Sequence, residues 1–117
     1  MAIEIIQGFI DAGESMSATM DCRAGEIVRL TMPPDWTSAV LTFQISSDDN
    51  GYNDVFDHNG KELTVVVVAG AAIIVPADYL AAAAFIKFRS GTRDQPVVQP
   101  ARRMVAIAIR VPDAVVP

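Results

Sequence analysis

The chain has 117 residues, the usual span of one domain, and 51% of them are hydrophobic while only 20% are charged. A formal charge of −5 and an isoelectric point near 4.6 leave no electrostatic footprint for a nucleic acid. One cysteine excludes an internal disulfide. With one histidine there is no His/Cys cluster for zinc and no nucleophile–base pair, so neither an enzyme nor a cofactor is expected.

Residues 1–12 carry Ile3, Ile5, Ile6, Phe9 and Ile10 ahead of Asp11-Ala12-Gly13. They read either as a first strand or as an apolar arm that docks on a neighbour. Glu14–Cys22 then alternates, with Met16, Ala18, Met20 and Cys22 on one side and Ser15, Ser17, Thr19 and Asp21 on the other. That period of two predicts a half-buried strand, with Cys22 as a buried, inert thiol. Ala24-Gly25 turns the chain into a second alternating run, Glu26–Met32, which Pro33-Pro34-Asp35 terminates because proline has no N–H to donate. In Ala39–Ser46, Leu41, Phe43 and Ile45 are expected inward and Val40, Thr42, Gln44 and Ser46 outward.

Ser47-Asp48-Asp49-Asn50-Gly51 is a dense turn signal, and a short strand at Tyr52–Asp57 follows. Asn59-Gly60 marks a hairpin into Lys61–Val68. Val65–Val68 and Ile73–Val75 are unbroken apolar runs, which predicts strands buried on both faces, by a second sheet and by a neighbouring subunit. The run Leu63–Val75 is too short for a membrane helix. Pro76–Ala84 predicts one short helical turn, capped by Asp78. Phe85–Arg89 is a strand closed by Ser90-Gly91-Thr92, Arg93–Pro100 is a polar loop, and Arg103–Val111 is the last strand. In that strand Val105, Ile107, Ile109 and Val111 face the core, and Pro112–Pro117 is a tail.

These elements predict an all-β chain of seven to eight strands in an antiparallel, jelly-roll-like sandwich, with 1–117 as one domain. The apolar surplus exceeds what one small core holds. A tightly packed, alanine-rich monomer is the plainer explanation. The surplus favours a homo-oligomeric subunit whose candidate assembly surface is Ile3, Ile5, Ile6, Phe9, Ile10, Val66 and Val68. The start Met-Ala-Ile-Glu has no basic n-region, so folding in a reducing cytoplasm is expected.

Three other features bear on chemistry. His58 stands at the predicted hairpin tip, where rigid catalytic partners are lacking. Asp48, Asp49, Asp54 and Asp57 with Asn50, Asn53 and Asn59 suggest a calcium loop, but around Gly51 the first and last ligand positions fall on Ser46 and Asp57, against the required pattern. Turn chemistry accounts for the same residues. Trp36 reads as a plug at the end of the core. Its alternative is a glycan-stacking platform with Tyr52, Asp48 and Asn50, as in a carbohydrate-binding module contacting host surface glycans.

Met32–Ser46 with Ser47–Gly51 and Asp54–Asp57, then Gly60-Lys61-Glu62-Leu63, then Phe85–Thr92 with Pro96-Val97-Val98-Gln99 and the final strand, together resemble small virion proteins of tailed phages, prophages and gene-transfer particles. The resemblance spans about residues 15–111. It implies a jelly-roll-like structural protein of the virion, a capsid decoration (cement) protein or a head-spike or fibre adaptor. Such a protein binds itself and capsid or other virion proteins, has no catalytic residues, and is made in the bacterial host cytoplasm.

Overall fold

Alternating apolar residues bury themselves only if two sheets close their apolar faces on each other, and this chain does so. In a computed structural model, which describes residues 2–76, 78–80 and 83–112, there are eight strands and no helix among the described residues. They are β1 (Ala2–Ile10), β2 (Met20–Asp21), β3 (Glu26–Thr31), β4 (Leu41–Ser46), β5 (Asn53–Asp54), β6 (Ala72–Ile74), β7 (Phe85–Ser90) and β8 (Arg103–Val111). Sheet A has the order β1-β8-β3-β6 and sheet B the order β2-β7-β4-β5, and every ladder is antiparallel. The ladders include β1 with β8, β2 with β7, β3 with β6 and β4 with β5. That is the path of one long hairpin folded over on itself.

The core lies between the sheets. Ile10, Ile27, Leu30, Val105, Ile107 and Ile109 come from sheet A, and Leu41, Phe43, Ile86 and Phe88 from sheet B. The expected inward residues of the last strand are where the alternation places them, and Ile86 and Phe88 share the inner face of β7. Gly8 is the reason β1 sits so close: a Cβ there would meet the Phe88 ring at 2.5 Å. Of residues 1–12, Ala2–Ile10 is a strand, paired with β8 along all nine positions.

The structure corrects the simple alternation at several points. Of Glu14–Cys22 only Met20–Asp21 is a strand, with Met16 in a single bridge to Arg89. Ser17 turns inward and Ala18 outward, the reverse of the expectation, because the Ser17 hydroxyl accepts the Phe88 N–H at 2.9 Å. In β3 the register shifts between Ile27 and Arg29, a bulge that lets Ile27 and Leu30 both face the core at a spacing of three. Thr42, expected outward, is on the outer side of sheet B yet wholly buried, since its hydroxyl donates to the Gly91 carbonyl under a covering loop.

The two-sided burial expected of the valine run does not hold within the chain. Only Val65 pairs, in one bridge to Leu41, while Val66, Val68 and Ile74 are exposed. The run bends instead of continuing: the Ala71 N–H donates to Val68, and Gly70, at φ +74°, donates to Pro33. The predicted helical turn at 76–84 falls partly outside the described residues, and no helix forms in the part described. The Tyr79 N–H donates to the Pro76 carbonyl in a plain turn, and Ala77, Ala81 and Ala82 lie outside the described residues. The hairpin at Asn59-Gly60 is present but three residues long, with Gly60 at φ +80° and the Asp57 N–H donating to Lys61.

Candidate functional site

The two outer faces of the sandwich differ in kind. Paired residues in an antiparallel ladder share a face, so the register lays out the outside of sheet A in rows. One row runs Ile5, Ala108, Arg29, Ile74, and the next runs Gln7, Ala106, Thr31, Ala72. Ile3 stands beside Arg110, which holds Glu26 at 2.9 Å, and Phe9 stands beside Met104. Ile3 (55% exposed), Ile5 (51%), Met104 (39%) and Ile74 (76%) are exposed on this face. Between them Ala106 is half-buried and Ala108 buried, and the face also carries Arg29, whose Nε is buried without a hydrogen-bond partner, and the Arg110–Glu26 pair. At one corner the Arg102 guanidinium lies 4.0 Å over the Phe9 ring.

The outside of sheet B is polar and largely covered. Arg89, with a side chain only 7% exposed, donates to Asp54 at 2.6 Å, to Glu62 at 3.1 Å and to the Thr42 hydroxyl at 3.3 Å. Arg93 closes the cluster, its side chain 3.3 Å from Asp54 and its N–H on the Glu62 carboxylate. The Arg89 hydrogen bond, opposed by partial burial, holds the Asp54 carboxyl below its ordinary value. Charges that are paired inward this way fasten the 53–62 hairpin to the sheet and present little to a partner. Further along, Lys87 sits 4.3 Å over the Tyr52 ring and Arg23 sits 4.7 Å over Phe85.

Of the expected assembly residues, the structure brings Ile3, Ile5 and Phe9 onto the outer face of sheet A. Ile6 is half-buried and Ile10 wholly buried on the inner face, so neither belongs to an exposed surface: in a strand, even and odd positions cannot share a side. Val66 lies apart from β1, beside Ile74 and Tyr79 in an apolar groove of about 220 Å³ at the β6 edge. Val68 stands in the neighbouring turn. Met104 and Ile74 belong to the face and were missed. Their signal was present in the alternation, since each stands one residue off a core position.

The alternative glycan set comes apart. Trp36 is buried, its indole N–H donating to the Ala39 carbonyl at 3.2 Å, so it plugs the core and has no face to offer a sugar. Tyr52 has its ring under Lys87 and its hydroxyl bonded to Thr19 and Asp49. Asp48 is occupied by the Asn50 N–H and the Ser46 hydroxyl, and Asp57 by the N–H groups of Asn59 and Lys61. Both carboxyls are held below their usual range by those bonds. No group of three or more metal-ligating side chains assembles among the described residues. His58 is exposed on the hairpin, and the Cys22 thiol is pushed up to about 11, first by burial and then by Asp21.

A second buried polar cluster was not legible beforehand. Gln99, wholly buried, accepts the Thr37 N–H, donates to the Thr37 carbonyl and the Ser90 hydroxyl, and accepts from Arg103. Arg103 reaches on to Asp35 at 2.8 Å. The cluster ties the 92–100 loop to the turn after β3 and is fully used in doing so. Among the described residues, no helix is long and apolar enough to cross a membrane. Compared with known proteins, the chain matches no family model, and no curated protein or solved structure is significantly similar to it.

Proposed function

We propose that this chain is a non-enzymatic structural subunit of a virion, a capsid decoration protein or head-spike adaptor, which binds capsid protein through the outer face of sheet A. The observation that carries the reading is the asymmetry between the faces. One is covered by a loop and an inward-paired ion cluster, while the other leaves Ile3, Ile5, Met104 and Ile74 exposed, with Arg29 among them. An exposed apolar area of that kind marks an interaction surface more often than it marks a monomer. The hairpin-wrapped strand order supports a jelly roll, the fold the virion resemblance implies. Acidic turns such as Ser47–Gly51 would then face solvent.

The test is co-sedimentation of the purified chain with shells of the major capsid protein encoded nearest its gene. Saturable binding that falls at least about tenfold in Ile74→Asp and Met104→Asp, with fold retained, is expected, since losing apolar contact and burying a charge together exceed about 1.4 kcal/mol. Binding indifferent to both substitutions, or none at all, overturns the reading.

A further inference from the structure

A sandwich has four edges, and this one protects three of them by brevity. β2 and β5 are two residues long, and β6 has three and is followed by Pro76. The fourth, β1, is nine residues long with no proline, no lysine and no register shift against β8. Long, regular and mostly apolar, it carries one charge, Glu4, among the devices that keep edges from pairing.

The direction of its free groups follows from one hydrogen bond. The Phe9 carbonyl accepts from the Ala18 N–H, which lies off β8, so Phe9 directs its backbone groups away from β8. By the period of two, and with no bulge in the ladder, Ile3, Ile5 and Gln7 do the same. Among the described residues, the 16–18 segment closes the edge at Phe9 and leaves Ala2–Gln7 open.

We infer that β1 pairs antiparallel with β1 of a second copy, about a two-fold axis through Ile5, to make one eight-stranded sheet. The register is self-complementary. Ile5 faces Ile5 of the partner, Ile3 faces Gln7 and Gln7 faces Ile3, so every outward N–H and C=O from 3 to 7 finds a partner. A centre at Ile6 would set Ile3 against Phe9, whose carbonyl is already taken. The open stretch Ala2–Gln7 is about 20 Å long, and with side chains on both faces about 20 Å wide. Two such edges bury about 800 Å² in all, the size of a weak, reversible contact. The pairing also sets both Ile5 side chains together on the outer face and doubles the apolar surface proposed for capsid attachment. The inference thus rests on that surface reading, though it names a partner and a register of its own.

Two variants and one mass measurement test it. The mass of the wild-type chain should rise from 12.5 kDa towards twice that value between about 10 µM and about 1 mM, the range over which an association of about 100 µM saturates. Ile5→Pro removes an N–H that β8 does not use, and should yield the monomer. Ile5→Cys should form an intermolecular disulfide on mild oxidation, because hydrogen-bonded pairs hold Cα atoms about 5.5 Å apart, within disulfide range. Ile3→Cys should not, since its mate lies four residues away along the strand, about 13 Å off. If Ile5→Pro fails to fold, the cysteine pair still decides. A monomeric wild type, or cross-linking through Ile3 rather than Ile5, overturns the pairing. A monomer that still binds shells through Ile74 sinks the pairing alone, whereas an Ile5-linked dimer that ignores shells sinks only the attachment.

Discussion

Single residues here carry loads that their type alone would not announce. Arg89 is one of two charged residues in β7, both of which alternation sends outward, yet it is buried because the 53–62 hairpin folds over it. A buried guanidinium is tolerable only when its partners are in place, and truncating it would leave Asp54 and Glu62 facing each other. Arg89→Met should therefore cost about 3 kcal/mol of stability, and Asp54→Asn, which keeps a hydrogen-bonding side chain, about 1 kcal/mol. The pH dependence follows from the direction of the Asp54 shift. Its folded pKa lies below its unfolded one, so the contribution is complete above the unfolded value and lost as pH falls through the folded value. Urea midpoints measured from about pH 6 down to about pH 3 should fall for the wild type and fall less for Asp54→Asn. Asp48 and Asp57, also held low, keep some slope in the variant. Equal slopes would mean that the Arg89 cluster does not stabilise the fold.

At the scale of elements, strand periodicity was readable wherever a ladder runs unbroken. Arg103–Val111 has the bounds and the inward face that its alternation requires, and so does the Ile86/Phe88 pair. What could not be read were places where a tertiary hydrogen bond or a bulge shifts the phase. Ser17 turns in to meet Phe88, and the Ile27–Arg29 bulge moves the core face by one. The valine run misled for a related reason: Gly70 bends it, and composition does not say where a chain bends. The candidate surface was half legible, because Ile3 and Ile5 were named but mixed with Ile6 and Ile10 from the opposite side of the same strand. Substitution separates the sides. Ile10→Ala should cost about 3 kcal/mol, by lost burial and a cavity in the core, while Ile3→Ala should change stability by less than about 0.5 kcal/mol. Chemical denaturation of both, at a dilution that favours the monomer, reads this directly. Similar losses would place residues 3 and 10 on one face and contradict the strand.

For the whole molecule, the hairpin-wrapped path makes the most important ladder the least local one. β1 and β8 join Ala2 to Val111, so the two ends of the chain meet only after the rest of sheet A has a place for them. Closing a loop of that length is the slowest entropy to recover, and folding should be in the millisecond-to-second range of β-sandwiches. The 53–62 hairpin, by contrast, is local, with the Leu63 N–H donating to Val55 and Phe56 bridging Glu62. It can form before the sheets close. Stopped-flow refolding of two variants distinguishes the order of events. Ile10→Val, in the closing strand, should act mainly by speeding unfolding, with a φ-value below about 0.3, while Val55→Ala should slow folding with a φ-value above about 0.5. Both substitutions remove buried or half-buried methyl groups, so their equilibrium effects should be large enough to divide. If Ile10→Val slows folding instead, the chain ends pair early, and β1 nucleates the sandwich rather than completing it. The edge it leaves open would then be exposed from the first steps of folding, when pairing with a second copy competes with closure of the sandwich itself.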